Sequence, residues 1–237
     1  MKRPSLLFCL GEPRPGFKKL WDVILGTGVE YRSYCAGDAN GHDLVTDVPF
    51  TIPPLEMYCH GAPLIHLESK PAPNDEWGLF RYHHATLYRS ALATLTPQPA
   101  AIAPAAGDAI LADLVVALYA YPGAPEPAWD HLEPGTDDGV YWAYKRLDGE
   151  GSKVDAFTFR GSTTDFDWVK DALAVADTPH DHPELGPIHP GFFLGIPATL
   201  TKIAPLQRED AIQIFLGHSL GAGQACLASA LACVLSQ

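Results

Sequence analysis

The chain has 237 residues, 47% of them apolar and 19% charged, with 16 Lys+Arg against 28 Asp+Glu and a formal net charge of -12. That composition supports a packed core and excludes a wholly disordered chain. The acidic balance offers nothing to neutralise phosphates in bulk, so nucleic acid is not expected as a partner. Gly (21) and Pro (22) are in excess, mostly before residue 138, which predicts a loop-rich front half. Five cysteines, Cys9, Cys35, Cys59, Cys226 and Cys233, form no CxxC. An odd, unpatterned set does not make a disulfide scaffold.

The apolar run Leu6–Leu10 is shorter than a signal h-region of ~7–15 residues and is followed at once by Glu12 and two prolines, so it predicts an early strand. Residues 17–25 predict a short helix, with Phe17, Leu20, Trp21, Ile24 and Leu25 on one side. Residues 36–76 are dense in Gly, Pro, Asn and Asp and predict loops and short strands. Residues 76–95 predict a helix through Phe80, His84, Leu87, Tyr88, Ala91, Leu92 and Leu95. Pro97, Pro99 and Pro104 mark a linker. A helix follows over residues 108–119, with Asp108 as candidate N-cap. Two strands are expected over residues 140–147 and 154–160, joined by a Gly-containing turn. Helices are expected over residues 165–175 and 190–206, the second kinked at Pro197. Residues 211–216 predict a strand and Leu220–Leu235 a helix. No Asp, Glu, Lys or Arg occurs after residue 210. Gly217, Gly221, Gly223 and several polar residues interrupt that stretch, which favours a buried strand and helix over a spanning helix of ~20 apolar residues. With no clear signal or spanning segment, the expectation leans toward a cytoplasmic protein.

Residues 212–221 read as a strand running into Gly217-His218-Ser219-Leu220-Gly221. A G-x-S-x-G at a strand-to-helix turn suits a nucleophilic serine, because the turn strains the serine backbone and lifts its hydroxyl clear of the sheet. Gly217 and Gly221 leave room for strand and helix to approach. The helix start points free N–H groups at the place where negative charge develops. Other groups are weaker. Cys35, His42, Cys59 and His60 fit no usual zinc spacing. His83-His84 sit side by side in a predicted helix and cannot share a face. His180-Asp181-His182 reads as a solvated loop.

Three further segments, Phe159-Arg160-Gly161-Ser162, Trp168-Val169-Lys170-Asp171 and His189-Pro190-Gly191-Phe192, stand with the serine motif in an order and spacing that resembles the class 3 lipases. The resemblance covers residues 105–237; residues 1–104 form a region of unknown role. It implies an α/β-hydrolase-like three-layer sandwich with a central, largely parallel sheet, incomplete at its C-terminal end. It implies that Ser219 is the nucleophile and that Ser162 and the Leu220 backbone N–H form the oxyanion hole. Asp171 would brace the oxyanion loop, and Gly217, Gly221 and His218 would support the turn. His189, Arg160 and Trp168 are expected to be structural. Residues 163–171 match a lid helix, here polar through Thr163, Thr164, Asp165 and Asp167, which points to soluble or short-chain esters. No cofactor or metal is implied. The expected partner is a small ester or lipid, with membrane contact at most peripheral. Gly221-Ala222-Gly223 departs from the family's usual Gly-Gly, a small change.

A serine nucleophile needs a base, and the base an orienting acid. On this fold they follow the serine in the order Ser, Asp or Glu, His. After Ser219 the chain has no Asp, Glu or His. Three readings follow: a fragment of a longer lipase; a non-catalytic α/β-hydrolase-like binding or scaffold protein; or a site completed by a second chain or by an upstream histidine such as His60, His66, His83 or His84.

Overall fold

The computed structural model describes residues 1–39, 41–47, 59–70, 82–94, 107–120, 129–134, 140–149, 152–161 and 179–237. In chain order the elements are β1 (Leu6–Leu10), α1 (Lys18–Gly26), β2 (Glu30–Asp38), β3 (Gly41–His42), a 3₁₀ turn (Leu44–Asp47), β4 (Ile65–Glu68), α2 (Ala85–Thr94), α3 (Asp108–Ala120), β5 (His131–Pro134) and β6 (Tyr141–Gly149). Then come β7 (Ser152–Arg160), β8 (His180–His182), β9 (Gly186–Ile188), α4 (Pro190–Phe193), α5 (Ile196–Ile203), a 3₁₀ turn (Ala204–Leu206), β10 (Ile212–His218) and α6 (Leu220–Leu235).

One sheet organises the molecule. Its strand order is β3-β2-β1-β10-β7-β6-β5, with β4 also paired to β2. The central strands β2, β1, β10 and β7 run parallel, and β6 and β5 continue antiparallel from β7. This is a mixed α/β architecture with a mostly parallel sheet. Strands from both sides of residue 104 alternate in it: β1 lies directly on β10, pairing Leu6 with Ile214 and Leu10 with His218. The boundary drawn at residue 104 from sequence therefore marks no break in the sheet.

The period of two along each strand divides the core into two layers. Leu7 and Cys9 of β1, Phe157 and Phe159 of β7 and Phe215 of β10 face α1, α4, α5 and α6, where Leu20, Trp21, Ile24, Phe192, Ile196, Leu200 and Cys226 meet them. Leu6, Phe8 and Leu10 of β1, Ala156 of β7 and Ile214 and Leu216 of β10 face α2 and α3, through Tyr88, Leu92, Leu111 and Val115. With both faces covered, β1 and β10 are nearly continuous apolar runs, as buried parallel strands are.

Several expected elements stand with small shifts. The early strand is β1, the short helix is α1, and the serine motif joins β10 to α6. The helix expected over residues 190–206 is divided, and the break is not at Pro197. α4 ends with Leu194 as its C-cap, and Gly195, with a left-handed φ of 78°, caps the start of α5, while Pro197 sits in the first turn of α5, where a missing N–H costs nothing. The Asp108 carboxylate takes Arg32 and Tyr34 of β2 as partners. Tyr82 and His83 precede α2 rather than lying within it. The helix expected over residues 165–175 and the lid of residues 163–171 lie outside the described residues. Among the described residues no helix is long and apolar enough to cross a membrane.

Candidate active site

The carboxyl ends of β1, β7 and β10 meet at one edge of the sheet, and Ser219 stands there. Its φ of 60° and ψ of -134° make it the single non-glycine residue with positive φ among the described residues. A side chain in that region of backbone space is strained by about 1–3 kcal/mol and persists only where the surroundings enforce it. The enforcement is visible. The Ser219 N–H donates to the Leu10 carbonyl at the end of β1 (3.1 Å), and the Ser219 carbonyl accepts from the N–H groups of Ala222 (2.9 Å) and Gly223 (3.3 Å) as α6 begins.

The two flanking glycines are sterically required. A Cβ on Gly217 would stand 2.4 Å from the Gly221 carbonyl oxygen, and one on Gly221 would stand 2.3 Å from the Phe159 carbonyl oxygen. Both obstacles are backbone and cannot rotate away. Gly221→Ala is therefore expected to lower stability by about 1–3 kcal/mol through overpacking, measured as a lower urea midpoint at unchanged slope. The Leu220 N–H belongs to the first turn of α6, where backbone donors have no partner within the helix. Gly161, just past β7, closes the other side: a Cβ there would lie 2.8 Å from the Ser219 Cβ. Ser162 and Asp171 lie outside the described residues.

His218 is buried beside the serine. Its Nδ1 is 2.9 Å from the Tyr119 hydroxyl, and its ring stacks on His83 with centroids 4.5 Å apart. Burial, followed by the neighbouring His83 charge, holds its pKa well below the ordinary histidine value. The unfolded chain thus takes up this proton more readily than the folded one. The stabilising share of neutral His218 is full above the unfolded value of about 6.5 and is lost as pH falls toward the folded value. Wild-type stability to urea is expected to fall as pH drops below about 6.5, by at most ~1.4 kcal/mol per pH unit from this group, with a flatter profile in His218→Gln.

The histidine lying against His218 carries the most informative contact. His83 Nδ1 is 2.7 Å from Asp43 Oδ2, and its Nε2 is buried with no hydrogen-bond partner. Asp43 is fully buried. Its Oδ2 also accepts from the Tyr88 hydroxyl, and its Oδ1 from the Val45 N–H (2.9 Å). Burial alone would raise the Asp43 pKa; the His83 charge and the hydrogen bonds from His83, Tyr88 and Val45 outweigh it and hold the carboxyl below its ordinary value. The pair sits against the end of β1. Gly11, in left-handed conformation at φ 53°, would place a Cβ 2.6 Å from Asp43 Oδ2 and 3.0 Å from the His83 ring. So residue 10 holds the Ser219 backbone while residue 11 touches both Asp43 and His83.

The other sequence candidates fall elsewhere. His60 Nε2 contacts the Thr46 carbonyl (2.8 Å) and His42 Nε2 contacts Asp47 (2.8 Å), so Cys35, His42, Cys59 and His60 do not gather as one group. His66 is exposed on β4. His189 is buried and caps α4, its Nδ1 accepting from the Gly191 N–H at 3.2 Å. Arg160 lies over the Tyr141 ring at 3.5 Å. Sequence does not single out Asp43 and names His83 only among four upstream alternatives; no local pattern marks the pair, which His83 and Tyr88 reveal only by meeting on Asp43 in space. Comparison of the chain with protein-family models, with curated proteins and with solved structures found no match.

Proposed function

We propose that this chain is a serine ester hydrolase, lipase- or esterase-like, in which Ser219 is the nucleophile, His83 the general base and Asp43 the orienting acid. The observation that carries this reading is a buried Asp43–His83 pair, with the outer ring nitrogen unpartnered, at the same sheet edge as a strained serine elbow. Asp43 accepts the Nδ1 proton of His83, which leaves the Nε2 lone pair to take the Ser219 proton. Ser219 Oγ attacks the ester carbonyl. The Leu220 N–H at the start of α6 stabilises the oxyanion, with Ser162 as the second donor that the class 3 lipase resemblance supplies. Protonated His83 returns the proton to the leaving alcohol, and water then releases the acyl group by the same route in reverse.

The order of these residues supports the α/β-hydrolase reading of the fold. That fold presents Ser, then acid, then His along the chain; here the order is Asp43, His83, Ser219, a cyclic rotation of it. The strand β1 lies on the side of β10 away from β7; Asp43 follows β3 and His83 follows β4 on that same side. On this reading the part of the chain upstream of Ser219 supplies both acid and base. The polar stretch of residues 163–167 favours soluble or short-chain esters as substrates.

The test is hydrolysis of short-chain nitrophenyl esters by the purified chain. Asp43→Asn should keep the fold but favour the wrong His83 tautomer, lowering kcat by about 10⁴-fold. Absence of turnover in the folded wild-type chain across acyl lengths would favour the non-catalytic binding module instead.

A further inference from the structure

A second buried cluster lies on the other face of β1, away from the Asp43–His83 pair. Cys9 on β1, Glu12 just beyond it and Cys226 on α6 present their Sγ and carboxylate oxygen atoms within 4.8 Å of one another. Cys9 Sγ and Cys226 Sγ are 3.7 Å apart, and Cys226 Sγ is 3.2 Å from Glu12 Oε1. Two thiolates on a tetrahedral zinc at ~2.3 Å stand ~3.8 Å apart, and a thiolate and a carboxylate oxygen ~3.5 Å apart. The Cys9–Cys226 and Cys226–Glu12 separations are already close to these values.

Two further observations point to a cation. Glu12 is fully buried, yet among the described residues no lysine or arginine pairs with it; its partners are the Tyr31 hydroxyl (2.7 Å), the Cys226 thiol and, at 3.8 Å, His60 Nδ1. A buried carboxylate without a countercharge is costly. His60 Nδ1 is itself buried and makes no hydrogen bond. Its Nε2 is held by the Thr46 carbonyl at 2.8 Å, which places the proton on Nε2 and the free lone pair on Nδ1, the arrangement by which a backbone carbonyl orients a metal-bound histidine.

We propose that Cys9, Cys226 and Glu12 bind a zinc ion, with His60 Nδ1 turning in as the fourth ligand to close a structural site. The ion would neutralise Glu12 and clamp the helix that follows Ser219 to β1. Zinc is bound by thiolates, so two cysteine protons leave to solvent on binding and affinity rises with pH.

The full chain, reduced and loaded with zinc, is expected to retain one zinc per chain after dialysis against a weak chelator, and its cobalt derivative to show thiolate-to-cobalt charge-transfer absorption. Cys9→Ser with Cys226→Ser should abolish both signals, and His60→Ala, which removes a ligand outright, should weaken binding by at least the ~10–100-fold that loss of an outer partner costs. Cys35→Ser with Cys233→Ser should change neither. Glu12→Gln, nearly isosteric, gives a weakened site if the double cysteine variant does not fold. The wild-type spectrum alone is decisive: no charge-transfer band in the reduced, folded chain overturns the proposal. So does equal zinc retention in wild type and the Cys9, Cys226 variant, or recovery of the native pair as a disulfide that excludes metal. None of these readouts depends on ester hydrolysis.

Discussion

His83→Ala is expected to lower kcat for short-chain nitrophenyl ester hydrolysis by about 10⁶-fold while leaving KM nearly unchanged, the behaviour of a group that acts only in the transition state. A serine hydroxyl is a poor nucleophile at its own pKa and depends on the base beside it. His83 is the histidine that combines a buried carboxylate on one nitrogen with a second nitrogen free of hydrogen bonds, its ring stacked on His218 next to Ser219. His83→Gln provides the companion variant, since its amide can still reach Asp43 and so separates loss of the base from loss of packing. Parallel loss of activity in both, with native circular dichroism, is the expected result; wild-type turnover in either would remove His83 from the mechanism.

Ser219→Ala is expected to cost a similar factor, about 10⁶ in kcat, because nucleophile and base act as one unit. The double variant Ser219→Ala with His83→Ala should be no slower than either single variant. Multiplying losses would mean that the two residues act independently and would contradict the shared mechanism. Alanine keeps the same strained backbone at residue 219, so the stability of Ser219→Ala should stay close to wild type.

The serine elbow was legible in the sequence because its requirements are local. An apolar strand, Gly217 and Gly221 at the two backbone approaches and an uncharged helix all fall within residues 212–235, and the structure reproduces them almost residue for residue. The early strand and α1 were legible for the same reason. The Asp43–His83 pair was not, since its placement depends on a parallel contact between β1 and β10, more than 200 residues apart along the chain. No periodicity reports such a contact. The strand β2, with Arg32 directed to Asp108 and a run of buried residues ending in Gly37, has no expectation over residues 30–35 and falls among the loops and short strands expected from residue 36. The helical spacing of Leu87, Tyr88 and Ala91, continued backward, predicts His83 in a helix; the helix begins at Ala85. Asp43 had no apolar pattern around it to mark it. Its burial becomes evident only once Tyr88, Val45 and Gly11 are brought together in space.

Labelling with a fluorophosphonate probe tests the central claim most directly, because it reads activation of one serine without requiring the right ester. The account predicts stoichiometric, time-dependent modification of Ser219 in the wild-type chain, located by peptide mass, with the rate reduced at least 10³-fold in Asp43→Asn and in His83→Ala. Modification of Ser219 at an unchanged rate in those two variants, or no modification of Ser219 in the folded wild-type chain, would contradict it.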